Sequence, residues 1–239
     1  ILSKIAIPSM LALWDMERNG FPVDIARAAA LEIEYCEKIT ALHDRICKMP
    51  RVSKYIEDMR AAYMVSPKAL KTECKRIQKA QTITFKPTSP AQVSVLLHKY
   101  YGVPAELFTR TKNGGMSVDA EAMVRIKESK HYQKCRKFLR RILKYRYLHK
   151  GYGTYIKGII KRVDKNNLIH STYRQDTART GRLSSRDPNL QNLSKKHTDL
   201  RAMYVAPDGW SMVEADYSQI ELRLLAAESG DRTMVSTYI

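Results

Sequence analysis

Apolar residues recur at helical spacing from the start of the chain. In "IAIPSMLALWDMERNG" they fall at Ile7, Met10, Leu11, Leu13 and Trp14, and the pattern halts at Asn19-Gly20, a pair that suits a helix end. Asp24 is placed to cap a second helix running through Ala28, Leu31, Ile33, Tyr35 and Ile39. Residues 48–84 are basic and poorly periodic, which predicts an insertion of weak helices. In "TSPAQVSVLLHKYYG" a local signal returns: Ser89 caps, Pro90 suits the first helical position, Gln92 completes an S-x-x-Q box, and Gly102 ends the helix. After a loop at Asn113-Gly114-Gly115, Ser117 or Asp119 starts a short helix carrying Ala122, Met123 and Ile126. The spacing then predicts a long helix from about Tyr132 to Lys150, with Phe138, Leu139, Ile142, Leu143 and Tyr147 on one side.

From Leu168 the pattern changes to Thr, Ser, Arg and Asn in the proportions of strands and turns. "WSMVEAD", residues 210–216, alternates as a short strand does. "SQIELRLLAAESG" reads as a helix with Ile220, Leu224, Leu225 and Ala227 near one face, closing at Gly230. Helices first and short strands later make the fold class α+β.

Charge narrows the function. The 239 residues carry 42 Lys and Arg against 24 Asp and Glu, a net charge of +18, and 44% are hydrophobic, enough to build a core and to exclude a disordered tail. Clustered cations gain free energy by releasing counterions condensed on phosphates, so nucleic acid leads as the expected partner, with an acidic membrane or ribosomal RNA as the alternatives. Twelve Lys or Arg and no acid lie between Lys130 and Arg162, with five tyrosines interleaved. A run so one-sided repels itself unless an anion neutralises it. If it grips about six phosphates, the logarithm of affinity falls against the logarithm of salt with a slope of about −5.

Cys36, Cys47, Cys74 and Cys135 form no CxxC pair and no zinc spacing, and His43 with Cys47 gives only two ligands, so reduced thiols in a cytoplasmic protein are expected. No apolar run reaches the length of a membrane span and no leader is visible, so no membrane is expected as a partner. The chain starts at Ile1 and stops at Ile239 with no helix-stop signal, as a piece cut from something longer would.

Against this basic background, "EADYSQIELRLLAAESGD", residues 214–231, gathers five carboxylates. Asp216 ends the expected strand, a rigid place to hold a carboxylate within reach of a ligand, and hard magnesium ions take such oxygens; the Tyr217 carbonyl can add a second. An Asp before a helix can equally be a cap. Spacing alone leaves both readings open.

"DYSQIELR" resembles motif A of the family A DNA polymerases nearly letter for letter. "TGRLSSRDPNLQNL", residues 180–193, is similar to the stretch preceding motif A in that family. Upstream, "LKYRYLHKGYGTYI" resembles the end of the family's thumb, "FKPTSPAQVSVLL" the start of a thumb helix, and "ALWDMERNGFPVD" the segment that follows the exonuclease domain. The resemblance implies residues 1–24 leading into the palm, a helical thumb at 25–150 with the basic insertion at about 48–84, and a partial palm with motif A at 151–239, its antiparallel sheet incomplete. It implies template-directed addition of dNTPs to a primer 3′-hydroxyl with two Mg2+ ions, primer-template DNA and dNTPs being the partners, and we expect no oligomer. Asp216 would bind both metals with the Tyr217 carbonyl, and Glu221 would exclude a ribose 2′-hydroxyl. Tyr217, Ser218, Gln219 and Glu221 would meet the nucleotide, while Lys150, Thr180, Arg182, Asn189, Gln191 and Asn192 would meet primer or template. Arg and Gln can donate to the minor-groove acceptors that every correct base pair presents. As ordinary turn chemistry, Asp187-Pro188-Asn189 has a reading of its own.

The chain departs from the family in three places. Ala178-Arg179-Thr180-Gly181 stands where T-x-T-G is usual, Leu193-Ser194 replaces Ile-Pro, and Gly151-Tyr152 follows Lys150, all compatible with a divergent, phage-like member. The fingers helix and the second catalytic aspartate would lie beyond Ile239, so the piece alone is expected to bind primer-template weakly and not to polymerise. Two other readings remain: a single-subunit RNA polymerase, against which Glu221 speaks, and a non-catalytic nucleic-acid-binding module on the same scaffold.

Overall fold

In the computed structural model residues 4, 6–67, 72–111, 114–192 and 198–238 are described. Asn113 of the expected loop and the Leu193-Ser194 departure lie outside them.

The first helix, α1 (Ile7–Asn19), ends where Gly20 adopts a left-handed φ of 68°. A Cβ there would sit 2.6 Å from the His170 ring, so both conformation and space demand glycine. The two-residue strand β1 (Phe21–Pro22) then pairs antiparallel with β4 (Leu168–Ile169), Phe21 opposite Ile169. The Asp24 carboxylate accepts from the Arg27 amide at 2.8 Å, the expected cap of α2 (Ile25–Cys47). This helix buries Ala28, Leu31, Tyr35, Leu42 and Ile46, while Ile33, expected on the apolar side, is exposed.

The basic stretch after α2 holds two helices, α3 (Pro50–Met64) and α4 (Glu73–Gln81). α3 is no weak appendage: Val52, Tyr55 and Ile56 enter the main core. Next come α5 (Pro90–Val95), a π-helical turn at Leu96–Tyr100, and a small hairpin of β2 (Thr109–Arg110) and β3 (Met116–Ser117). Ser89 caps α5, its hydroxyl accepting from the Gln92 amide at 3.4 Å. The reciprocal half of the box is missing, because the Gln92 side chain instead accepts from the Lys86 amide at 2.8 Å and ties down the approach to the helix. Asp119, not Ser117, caps α6 (Ala120–Glu128), accepting from the Ala122 amide at 3.0 Å.

The long helix α7 (Tyr132–Lys150) packs along α2 and buries Cys135, Phe138, Leu139, Ile142 and Leu148. Leu143 and Tyr147, expected on this face, are exposed, because the buried arc runs i, i+3, i+4, i+7 from Cys135 and leaves them on its flank. At the centre, Tyr101 stacks on Phe138 with centroids 5.1 Å apart, and Phe85 lies 6.0 Å from Phe138 and 6.1 Å from Tyr55. The chain leaves α7 through a π-helical turn at Gly151–Ile156 and α8 (Lys157–Ile160), then β4, β5 (Thr172–Arg174) and β6 (Ser184–Arg186), the last two paired antiparallel. After α9 (Thr198–Arg201), the Tyr35 hydroxyl donates to Asp199 at 2.6 Å, linking α9 to α2. Predominant helices with small antiparallel sheets make the class α+β, as expected.

Compactness divides the chain into Ile1–Tyr204 and Val205–Ile239. In the second unit, residues 205–217 form no ladder, so the strand expected over 210–216 is not made. Alternation states which face a strand would bury, but a strand exists only through a hydrogen-bonded neighbour, and none is present among the described residues. α10 (Ile220–Ser229) follows, closed by Gly230, and packs on α11 (Arg232–Tyr238), which Asp231 caps by accepting from the Met234 amide at 2.8 Å. Of α10 only Ala226 is buried; the expected face of Ile220, Leu224, Leu225 and Ala227 is exposed.

Candidate active site and nucleic-acid interface

The motif A residues stand at the start of α10. Asp216, Tyr217 and Ser218, together with Ile220, Arg223 and Leu224, line a cavity of about 480 Å³. Its rim is set by backbone geometry: Gln219 takes a left-handed φ of 53°, turning the chain from extended to helical. The Arg223 guanidinium donates through Nε to the Ser218 carbonyl at 2.8 Å, bracing that turn from one helical turn further on. Asp216 and Tyr217 are both exposed, and Gln219, at the N-cap position of α10, makes no side-chain cap hydrogen bond. Among the described residues the Asp216 carboxylate accepts from no amide of α10, so it is not the cap of that helix. Glu221 lies in the first turn of α10 and is exposed; neither it nor Gln219 lines the cavity.

A divalent cation needs six or more oxygens in the case of calcium, and a near-octahedral shell rich in water and phosphate in the case of magnesium. The Asp216 carboxylate and the Tyr217 carbonyl are chemically right but supply only the beginning of a shell. No group of three or more His, Cys, Asp or Glu able to hold a metal occurs among the described residues. Here the chain offers a partial seat.

A second site lies in the larger unit. Lys150, Asn189 and Asn192 line one cavity of about 590 Å³ with Arg162, Arg186, Asp187 and Tyr204; Thr180, Arg182 and Gln191 are exposed but do not line it. The π-helical turn after Lys150 brings Gly153 and Thr154 to the wall and α8 adds Gly158, small residues that leave room for a ligand backbone. Asp187 lies 3.9 Å from both Arg162 and Arg186, so the wall is cationic with one acid between two guanidinium groups.

The loop at 187–192 is held from beneath by residues that the motif comparison did not single out. The buried Ser185 hydroxyl donates to the Asn189 side-chain oxygen at 3.1 Å and accepts from the Gln191 amide at 3.3 Å. The same Asn189 oxygen accepts from the Asn192 amide at 3.1 Å. The Ser171 hydroxyl donates to the Pro188 carbonyl at 2.8 Å, and the Tyr155 hydroxyl to the Asn192 carbonyl at 2.9 Å. The side-chain oxygen of Asn189 thus shapes the loop that presents Gln191 and Asn192. Sequence reasoning reached this as the turn-chemistry alternative, but it had no signal for Ser171, whose role depends on where β5 meets β6. Burial raises the Tyr204 hydroxyl far above the ordinary tyrosine value, and its oxygen has no hydrogen-bond partner among the described residues.

No helix among the described residues is long and apolar enough to cross a membrane, and the four cysteines are free.

The chain is similar to bacterial DNA polymerases I along its length. It is 31% identical to that of Caldicellulosiruptor bescii over 242 residues, 35% to that of Chloroflexus aurantiacus over 241, and 28% to the thermostable enzyme of Thermus aquaticus over 239. These alignments cover 98% to 100% of the chain but only 22% to 24% of the relatives, so the chain spans less than a quarter of their length. Among solved structures, the POL domain of Pol1 from M. smegmatis, in complex with DNA primer-template and dNTP, matches with a TM-score of 0.71 and 26% identity. That match covers 97% of the chain and 35% of the domain. A model of DNA polymerase family A matches residues 53–239, most of the sequence with both motifs, and the chain belongs to that family.

Proposed function

We propose that the chain supplies the thumb and the motif A part of the palm for template-directed DNA synthesis, in which a primer 3′-hydroxyl attacks a dNTP and pyrophosphate leaves. The observation that carries the reading is that Asp216, Tyr217 and Ser218 open on one cavity at the head of α10, in a member of family A. Asp216 holds its carboxylate towards solvent with the Tyr217 carbonyl next along the chain. These are the chain's donors to Mg2+, which when bound would neutralise triphosphate charge and favour the ionised primer hydroxyl. Arg223 keeps the turn at Ser218 in place, and Glu221, in the first turn of α10 beside the cavity rather than in its wall, is the candidate to exclude a ribose 2′-hydroxyl. Lys150 meets backbone phosphate, while Arg182, ahead of β6, and Gln191, from the loop fixed by Ser185, Ser171 and Tyr155, reach towards minor-groove acceptors.

Primer extension by the full protein tests this. Asp216→Asn should lower the extension rate by a factor on the order of 10² to 10³ or more, the scale of losing one charge-organising group, with primer-template affinity retained. Glu221→Ala should raise ribonucleotide use relative to deoxynucleotide. Extension by Asp216→Asn at the parental rate would overturn the reading.

A further inference from the structure

Exposed positive charge in the larger unit is not confined to the cavity beside Lys150. It surrounds a different one, of about 600 Å³, where the start of α3 meets the first two turns of α7. The cations lining it are Arg51, Lys134, Arg136, Lys137 and Arg140, and no acid lines it. Other arginines of α7 are committed to the fold: Arg141 donates to the Arg45 carbonyl at 2.9 Å and Arg146 to the Pro87 carbonyl at 3.0 Å. By contrast the side chains of Lys134, Arg136, Lys137 and Arg140 are exposed and pair with no carboxylate or carbonyl among the described residues. Arg51 is held in place, its guanidinium over the Tyr101 ring at 4.7 Å and its Nη1 donating to the Lys134 carbonyl at 3.5 Å. That contact fixes one cation at the head of α3 against four on α7.

We propose that this basin is an auxiliary binding site for the phosphodiester backbone of DNA, separate from the cavity that holds Lys150. Its shape favours a chain of phosphates over a single ion, since Lys134 to Arg140 span roughly 9 Å along α7. Its floor of Tyr101 and Phe138 is covered, so it offers no ring for a base to stack on and recognises backbone without regard to sequence. Met49, Pro50 and Arg51 belong to the basic stretch at 48–84 and precede the residues that the family model matches. The site therefore joins one cation of that stretch to four on α7, which lie within the matched residues. That the polyanion is DNA rests on the proposed function; the basin itself rests on the geometry.

The test is DNA binding by the full protein, measured by fluorescence anisotropy across a salt series with a primer-template longer than the polymerase footprint. Arg136→Ala/Lys137→Ala/Arg140→Ala should reduce the magnitude of the log–log salt slope by about 2 to 3 and weaken binding roughly tenfold at moderate salt. Arg51→Ala, read separately because Arg51 also packs on Tyr101, should reduce the slope by about 1. Lys75→Ala/Lys79→Ala on α4 removes exposed charge away from the basin and should leave the slope within about 0.5 of the parent. Excess dNTP should not displace DNA from the basin, whereas a short duplex should. A slope unchanged in the triple variant, an equal loss in the α4 variant, or displacement by dNTP alone would each overturn the site. A parent that binds no DNA at all would instead overturn the proposed function.

Discussion

The helices α7 and α10 each carry an amphipathic pattern, and their fates differ. α7 buries Cys135, Phe138, Leu139, Ile142 and Leu148 against partners in its own unit. α10, the helix that carries the motif A residues, buries Ala226 alone and leaves Leu224 59% and Leu225 52% exposed. The pattern of apolar positions says which face of a helix wants burial; only tertiary contacts decide whether that wish is met. In this chain the scaffold is well packed, and the segment with the most specific chemistry is the least supported. The largest effect that separates them should be Phe138→Ala, since Phe138 is fully buried between Tyr101 and Phe85. We expect it to cost about 3–5 kcal/mol, read as a shift of the urea midpoint. A cost under about 1 kcal/mol would mean that the core of the larger unit is far looser than its ring geometry states.

The core of the larger unit is also where tyrosines are taken out of water, and this gives a test by pH. Burial pushes the Tyr101 hydroxyl up to about 12 from its ordinary value of 10.0, despite the opposing pull of Arg51. Between these values the unfolded chain has lost a proton that the folded chain keeps. The unfolded state then binds fewer protons, so stability falls as pH rises through the window and is fully present below it. Tyr100, raised to about 12 by burial and by its bond to Asp58, adds a second contribution of the same sign. Tyr101→Phe should flatten the decline between about pH 10 and about pH 12 without removing it, as followed by urea midpoints at several pH values. An alkaline limb identical to the parent's would show that Tyr101 is hydrated in solution.

The two regions were unequally legible in the sequence. Helix ends were plain where one residue decides them alone, as with Gly20, Asp24 and Gly230, whereas the choice between Ser117 and Asp119 was left open. What depends on a distant partner was not plain. The period of α7 could not choose between Leu148 and Tyr147, because α2 sets the buried arc. Residues 48–84 look unpatterned because α3 buries a narrow stripe, Val52, Tyr55 and Ile56, beneath a charged surface. Alternation over 210–216 suggested a strand whose pairing edge is absent among the described residues. For the site the balance reverses. Motif letters nominated Asp216, Glu221, Arg182 and Gln191 as candidates, whereas the hydroxyls of Ser185, Ser171 and Tyr155 that hold the second loop became visible only in the folded chain.

The smallest expected effect bears most directly on the contrast. Leu224→Gln keeps helix propensity nearly constant, so any change in stability reports burial of the side chain. With Leu224 exposed, the substitution should shift stability by no more than about 0.5 kcal/mol. It should also lower concentration-dependent association, because Leu224, Leu225 and Ile220 form an apolar face in water. Analytical ultracentrifugation alongside denaturant titration separates the two readouts. A loss above about 2 kcal/mol would show that the face is covered in solution, since that is the scale of burying a whole leucine side chain. The contrast between α7 and α10 would then vanish, and the motif A turn braced by Arg223 would be part of a packed layer like that around α7.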